Sequence, residues 1–290
     1  MEPKYSVFDK KISKVACEIA RKAGQTLIKH YLIRTRKRLK IEFKGDPTNL
    51  VTDVDKKVEK QIAQYIESNF PDHGILSEEG ISCRPSSKYL WIVDPLDGTT
   101  NFAHGYPHFA ISIGIERDGE VIIAVVYDPL RDELFFALKG FGARLNGRRI
   151  HVSGEKELDK SLLLTGFPYD IRVSYENNLN LFNSFAVKCQ AVRRDGSAAL
   201  NLAYVAAGRA DGFWEIKLKP WDTAAGHLLV LEAGGEVTDF MNKPVDIFGK
   251  EIVASNGKIH SQMLSCIRDT QSLSKETIPV LNGKNFEIKA

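Results

Sequence analysis

Two carboxylates three residues apart, Asp94 and Asp97, stand where an apolar run breaks off. The segment is Trp91-Ile92-Val93-Asp94-Pro95-Leu96-Asp97-Gly98-Thr99-Thr100-Asn101-Phe102. Pro95 removes a backbone donor and Gly98 permits a tight turn, so a strand ending at Val93 cannot simply continue. Both carboxylates can then converge at the end of a sheet, with the Thr99 hydroxyl facing the same space. Hard divalent cations take such oxygen donors, together with backbone carbonyls and water. An Asp-rich turn closed by Asp-Gly would use the same residue types for structure alone.

Three further acidic elements could join them. Ser77-Glu78-Glu79-Gly80 follows the apolar pair Ile75-Leu76, although paired glutamates are usually solvated. In Trp221-Asp222-Thr223-Ala224-Ala225, Asp222 precedes a strongly apolar helix and would be explained as its N-cap. Asn49-Leu50-Val51-Thr52-Asp53-Val54-Asp55 opens another helix, whose dipole Asp53 and Asp55 would complement. Gly196-Ser197-Ala198 also opens a helix, and its free N–H groups suit an anion or a sugar hydroxyl as well as a plain Gly/Ser cap. No rival centre competes with these. His104 and His108 are four apart, but Gly105 and Pro107 disfavour the helix that would align them. There is no zinc-like Cys/His spacing and no G-x-x-x-x-G-K-[ST] loop.

The elements that must carry these groups are legible from periodicity. Val7, Phe8, Ile12, Val15, Ile19, Ala23, Leu27 and Tyr31 recur at helical spacing. A second helix follows Thr52, with Val54, Val58, Ile62, Tyr65 and Phe70 on its apolar side and Pro71 beyond its end. Tyr89 to Val93 reads as a buried strand. Phe109 to Glu116 and Val121 to Tyr127 flank Asp118-Gly119 and read as a hairpin, with another strand from Glu133 to Leu138 before the Gly140-Phe141-Gly142 turn. Two helices and an antiparallel meander thus make the first half, about 1–150. In the second half, about 151–268, helices are expected near Ser174 to Val187, Ser197 to Ala207 and Thr223 to Ala233. Strands are expected near Ala191, Asp211 to Glu215, Val237 and Ile252. Such alternation suggests helices covering a sheet. No linker separates the halves, so 1–268 is expected to be one domain and the polar residues 269–290 an appendage.

Composition excludes several classes. With 40 Lys and Arg against 37 Asp and Glu, a net charge of +3 gives no reason to expect direct nucleic-acid binding. A basic run from Arg34 to Lys40 is a solvated loop or a weak steering patch for anions. Nothing approaches a membrane span, and the start from Met1 to Lys11 is charged where a secretory leader would be apolar. Cys17, Cys83, Cys189 and Cys266 are scattered and read as thiols, so a cytoplasmic location is expected.

Taken in order, the motifs closely resemble the inositol monophosphatase family. They are Asn49-Leu50-Val51-Thr52-x-x-Asp55, Gly74-x-x-x-Glu78-Glu79, Trp91-x-x-Asp94-Pro95-Leu96-Asp97-Gly98-Thr99-Thr100-Asn101-Phe102 and Trp221-Asp222-x-x-Ala225. The likeness runs from the first helix to about residue 265 and includes Gly235 and Ala254-Ser255-Asn256. It implies the α+β fold of the sugar-phosphatase superfamily, an α/β/α/β/α layered sandwich, and Mg²⁺-dependent hydrolysis of myo-inositol monophosphate. Within that resemblance, Glu78, Asp94, Thr99 and the Leu96 carbonyl hold one Mg²⁺. Asp94 bridges to a second ion, completed by Asp97 and Asp222, and Glu79 supports a third through water. Thr99 with Asp55 positions the attacking water, while the N–H groups of Gly98 and Thr99 hold phosphate.

For the substrate, the resemblance sets Gly196, Ser197 and Ala198 beside the inositol ring, matches Glu215 to a carboxylate that binds ring hydroxyls, and matches Lys44 to a lysine near the metals. Ser197, Lys219 and Asp53 replace residues common in animal members, which leaves the metal centre intact and the choice among sugar phosphates open. Fructose-1,6-bisphosphatase activity, alone or combined, is the nearest alternative. A regulatory protein-binding role beside or instead of catalysis is the alternative from another class. The family also implies a homodimer and lithium sensitivity.

Overall fold

The structure is a computed structural model in which residues 7–33, 41–43, 50–83 and 86–273 are described. Lys44, Asn49 and the basic run Arg34 to Lys40 lie outside them, as does most of the expected appendage.

Helix α1 (Val7–Ile33) and helix α2 (Asp53–Asn69) form where the 3.6-residue pattern predicts them. Ile12, Val15, Ile19, Ala23 and Leu27 of α1 are buried against Val58, Ile62 and Ile66 of α2 and one face of a large sheet. Between the helices runs a short hairpin, β1 (Ile41–Phe43) with β2 (Leu50–Thr52). Thr52 caps α2 by accepting hydrogen bonds from the Val54 and Asp55 N–H groups, and the Asp55 carboxylate accepts one from the Thr52 N–H at 3.0 Å. This capping box fixes where α2 starts and which way Asp55 points.

The large sheet comprises β3 (Gly74–Ser77), β4 (Ser82–Cys83), β5 (Tyr89–Asp97), β6 (Ala110–Arg117), β7 (Glu120–Asp128), β8 (Glu133–Leu138), β9 (Ala143–Leu145) and β10 (Arg148–Arg149). Its order is β10-β9-β8-β7-β6-β5-β3-β4. The meander is antiparallel throughout, and β3 adds to β5 in parallel. Asp118 and Gly119 both have positive φ, which suits a two-residue hairpin between right-twisted strands. The strand ending in Val93 does continue, contrary to the reading of Pro95, but it continues irregularly. Asp94 pairs with Ser112 and Asp97 with Ala110, so β5 carries one more residue than β6 over this interval. Side chains three apart on a regular strand face opposite ways; the extra residue turns Asp94 and Asp97 toward one side.

The second sheet has order β12-β11-β13-β15-β14, from β11 (Leu162–Thr165), β12 (Ala191–Arg193), β13 (Gly212–Ile216), β14 (Glu236–Thr238) and β15 (Glu251–Ser255). Helices α5 (Ala198–Ala206) and α6 (Pro220–Glu232) lie between the two sheets, with Ala199, Leu202, Ala225 and Leu229 fully buried or nearly so. Helices α4 (Leu179–Ala186) and α7 (His260–Leu273) cover the outer face, where Phe185, Trp214 and Met263 share a third apolar cluster. The result is the expected α/β/α/β/α sandwich. Burying one side chain of Phe185's size contributes about 2–3 kcal/mol.

Two elements depart from the sequence reading. The helix expected from Ser174 begins at Leu179, because Asn178 sits at φ +70° and its side chain bonds Thr165, Gly166 and Trp214 instead. The unpatterned tail expected after Arg268 is still helical to Leu273, with Ile267 and Thr270 buried. Among the described residues, no helix is long and apolar enough to cross a membrane.

Candidate active site

Four structural ends meet at one point. Strand β3 runs parallel to β5 with Ser77 opposite Val93, and the Glu78 N–H donates to the Val93 carbonyl at 3.2 Å. Glu78 therefore emerges beside Asp94. Ser112, opposite Asp94 on β6, donates its hydroxyl to the Trp221 carbonyl at 3.0 Å, which pins the start of α6 and brings Asp222 in. The start of α5 is tied to Asp97, whose Oδ2 accepts from the Ser197 hydroxyl at 2.5 Å and the Ala199 N–H at 2.8 Å. Gly98 then turns the chain into a short helix, α3 (Thr99–His104), at φ +95°. A Cβ at Gly98 would sit 3.0 Å from the His108 carbonyl and 3.3 Å from that of Gly196, so conformation and space both require glycine.

One ligand oxygen from each of Asp94, Asp97 and Asp222 can be chosen so that all lie within 4.8 Å of one another. Burial and then the charges of Glu78, Asp97 and Asp222 push the Asp94 carboxyl well above its ordinary value. Burial followed by Glu78 and Asp97 does the same to Asp222, and Asp97 is pushed up to about 6, first by burial. Buried carboxylates this close repel one another, and a divalent cation would relieve that repulsion. The donors are all oxygen, the chemistry that hard cations prefer. The residues present fit such ions.

The Thr99 hydroxyl lies 3.0 Å from both Asp55 Oδ1 and the Leu96 carbonyl, within reach of either as donor. Asp55 also accepts a short hydrogen bond from the Thr52 hydroxyl, and burial raises its carboxyl to about 6. The capping box of α2 thus delivers a carboxylate to the back of Thr99.

These groups line a cavity of about 420 Å³. Glu78, Asp94, Leu96, Asp97, Gly98, Thr99 and Asp222 form one end, with Gly196, Ser197, Ala198 and Glu215 on the adjoining wall. Asp55 stands behind Thr99, and Glu79 is not among the lining residues. Asp222 is not the N-cap of α6: Lys219 is, and Asp222, three residues on, accepts its N–H at 2.7 Å. Glu215 is 7% exposed, and burial followed by Asp97 raises its carboxyl to about 8. Lys217, a natural partner for it by sequence, bonds Asp170 instead. A Cβ at Gly166 would lie 2.1 Å from a Glu215 oxygen, so this close approach also depends on glycine.

Among the lining residues that escaped the sequence reading are Asn201, Arg194 and Tyr169. Asn201 is 1% exposed and its Oδ1 has no hydrogen-bond partner among the described residues. Arg194 makes no ion pair among the described residues; Arg193-Arg194 directly before Asp195-Gly196 was the available signal. Tyr169 had no signal. Its side chain is half exposed, but the phenol end is desolvated, and that, with Glu78, Asp222, Asp94 and Asp97, pushes it above the ordinary tyrosine value.

Known proteins share the sequence pattern and the fold of this chain. The family model described as inositol monophosphatase family matches residues 9–272. The chain is 45% identical over 259 residues to the Nus factor SuhB of Salmonella typhimurium, covering 89% of this chain and 96% of that one. It is 46% identical over 231 residues to an inositol-1-monophosphatase of Synechocystis, covering 79% and 80%. Among solved structures, the inositol monophosphatase of Anabaena superposes with a TM-score of 0.80 at 39% identity, covering 95% and 99%.

Proposed function

This chain belongs to the inositol monophosphatase family, a family of phosphatases, and from that premise we propose that it is a Mg²⁺-dependent enzyme hydrolysing myo-inositol monophosphate to inositol and phosphate. The observation that carries this reading is the convergence of the Asp94, Asp97 and Asp222 carboxylates at one end of a cavity whose adjoining wall holds Glu215 and the start of α5.

Glu78, Asp94, Thr99 and the Leu96 carbonyl would hold one ion, Asp94, Asp97 and Asp222 a second, and Glu79 a weaker third through water. Bound there, such ions make water nucleophilic near neutral pH and offset charge on the departing oxygen. The chain's own residues do the rest. Thr99 orients the water, and Asp55, with its carboxyl at about 6, is suited to take up the proton passed through that hydroxyl. The N–H groups of Gly98 and Thr99 receive the phosphate, and Glu215 accepts hydrogen bonds from ring hydroxyls. Lys44 is assigned to the same site on resemblance alone. The chain acts as one domain, as a cytoplasmic homodimer, and lithium inhibits it.

The Arg194 guanidinium on the cavity wall, without an ion pair among the described residues, favours a second anionic group, so fructose 1,6-bisphosphate is the rival substrate. The name of the Salmonella relative supports a regulatory role beside catalysis. Phosphate release from inositol 1-phosphate, fructose 1,6-bisphosphate, glycerol 2-phosphate and adenosine 3′,5′-bisphosphate tests the assignment. Inositol 1-phosphate should be hydrolysed with the highest kcat/KM; preference for either bisphosphate would overturn the substrate, and no turnover of any would overturn the enzyme.

A further inference from the structure

The chain from Gly166 to Ser174 forms a strap between β11 and α4, and its first part, Gly166 to Asp170, lines the cavity. Its ends are fixed. The Asn178 amide donates to the Gly166 carbonyl at 2.6 Å, and Lys217 Nζ donates to Asp170 Oδ2 at 2.7 Å and Ser174 Oγ at 2.8 Å. Between these anchors Tyr169 lines the cavity, the only phenol among its described lining residues, and it is 53% exposed.

Lys217 carries a second observation. Six described non-glycine residues have positive φ: Asp118, Asp132, Asn146, Asn178, Asn242 and Lys217 at φ +61°. Asp and Asn tolerate that region because their short polar side chains bond locally; lysine gains no such relief. The strain is held where the Lys217 side chain reaches the strap, two residues beyond Glu215.

We infer that Tyr169 is a specificity-determining residue for the ring of a cyclic polyol phosphate, and that Lys217 is the positioning residue that latches its strap at the cavity wall. The inference rests on the phosphatase reading above. With the phosphate at the carboxylate end, a six- or five-membered ring extends to the wall formed by Glu215 and Tyr169. There Glu215 accepts from ring hydroxyls, and the phenol donates to a ring oxygen while its face packs on ring C–H groups. Glycerol 2-phosphate is too short to span both ends.

The test is the ratio of kcat/KM for a cyclic substrate to that for glycerol 2-phosphate, measured in wild type, Tyr169→Phe, Tyr169→Ala and Lys217→Gly. The cyclic substrate is whichever of inositol 1-phosphate and fructose 1,6-bisphosphate the wild type turns over faster. A preference for fructose 1,6-bisphosphate would overturn the inositol assignment while leaving the Tyr169 test intact; a wild type without ring preference would overturn both. The ratio should fall about threefold in Tyr169→Phe, which loses one hydrogen bond, and about tenfold in Tyr169→Ala, mainly through KM. Lys217→Gly suits the backbone at φ +61°, so its melting temperature should hold or rise while its ratio falls as in Tyr169→Ala. Ratios unchanged or raised in both Tyr169 variants would overturn the role of Tyr169. An unchanged ratio in Lys217→Gly would overturn the latch.

Discussion

At the scale of single residues, the carboxylates are not equivalent. Asp94 is fully buried among Glu78, Asp97 and Asp222, whereas Glu79 lies off the cavity wall. Outer partners of a metal site typically cost 10–100-fold when removed, so Glu79→Gln should lower kcat/KM by about tenfold and Asp94→Asn by more than about a hundredfold. The reverse order in a phosphate-release assay would contradict the ligand assignment. Asp222 serves two purposes, since one oxygen accepts the Lys219 N–H. Asn can accept that bond too, and it removes a charge that its neighbours repel. Asp222→Asn should therefore melt at the same or a higher temperature yet lose turnover; near-normal turnover would leave Asp222 only its bond to the Lys219 N–H at the start of α6. The Asp94-to-Phe102 segment was legible less from its residue types, which an Asp-rich turn could also use, than from its match to a family motif and its place in an ordered set of motifs. Tyr169 was not, because a lone tyrosine after Pro168 is unremarkable until the fold sets it on the wall of the cavity that holds the carboxylates.

At the scale of elements, what local pattern could show and what it could not divide on one physical point. Periodicity reports the face a long helix buries, and so α1, α2, α5 and α6 were predictable. It does not report side chains that bond backbone in place of a helical turn, which is why Asn177 and Asn178 delay α4. Helix α7 does carry that periodicity, since its buried Met263, Leu264 and Ile267 recur at helical spacing, and the reading of an unpatterned tail after Arg268 passed over it. The bulge in β5 was half visible: Pro95 announced an interruption, but the sliding of register that turns Asp94 and Asp97 to one side is a property of the pair β5 and β6. Gly98 is the hinge of this arrangement. Gly98→Ala should cost about 1–3 kcal/mol of stability through its positive φ and crowd the His108 carbonyl, displacing Thr99. Denaturant unfolding beside kcat measurements should show both losses; a variant with wild-type kcat would mean that the turn does not set Thr99.

At the scale of the whole molecule, the sandwich spends stability to hold acids out of water. Glu215 at about 8 and Asp55 at about 6 both bind protons more tightly folded than unfolded, in each case first through burial. Their contribution is fully present below about pH 4, the ordinary carboxylate range, and is lost as pH rises through about 6 and then about 8. Protein held metal-free with chelator should therefore melt at lower temperature as pH rises from about 5 to about 8.5. Glu215→Gln should flatten the upper part of that fall, and a variant with the wild-type slope would show that Glu215 does not titrate there. The layered fold itself followed from the resemblance, and the three apolar clusters supply its physical reason.

The most direct test of the central claim is phosphate release from inositol 1-phosphate by chelator-stripped protein, before and after Mg²⁺ is restored. An all-oxygen, mutually repelling carboxylate cluster predicts no turnover when stripped and full recovery with Mg²⁺. Undiminished turnover by the stripped protein would contradict the account at its root.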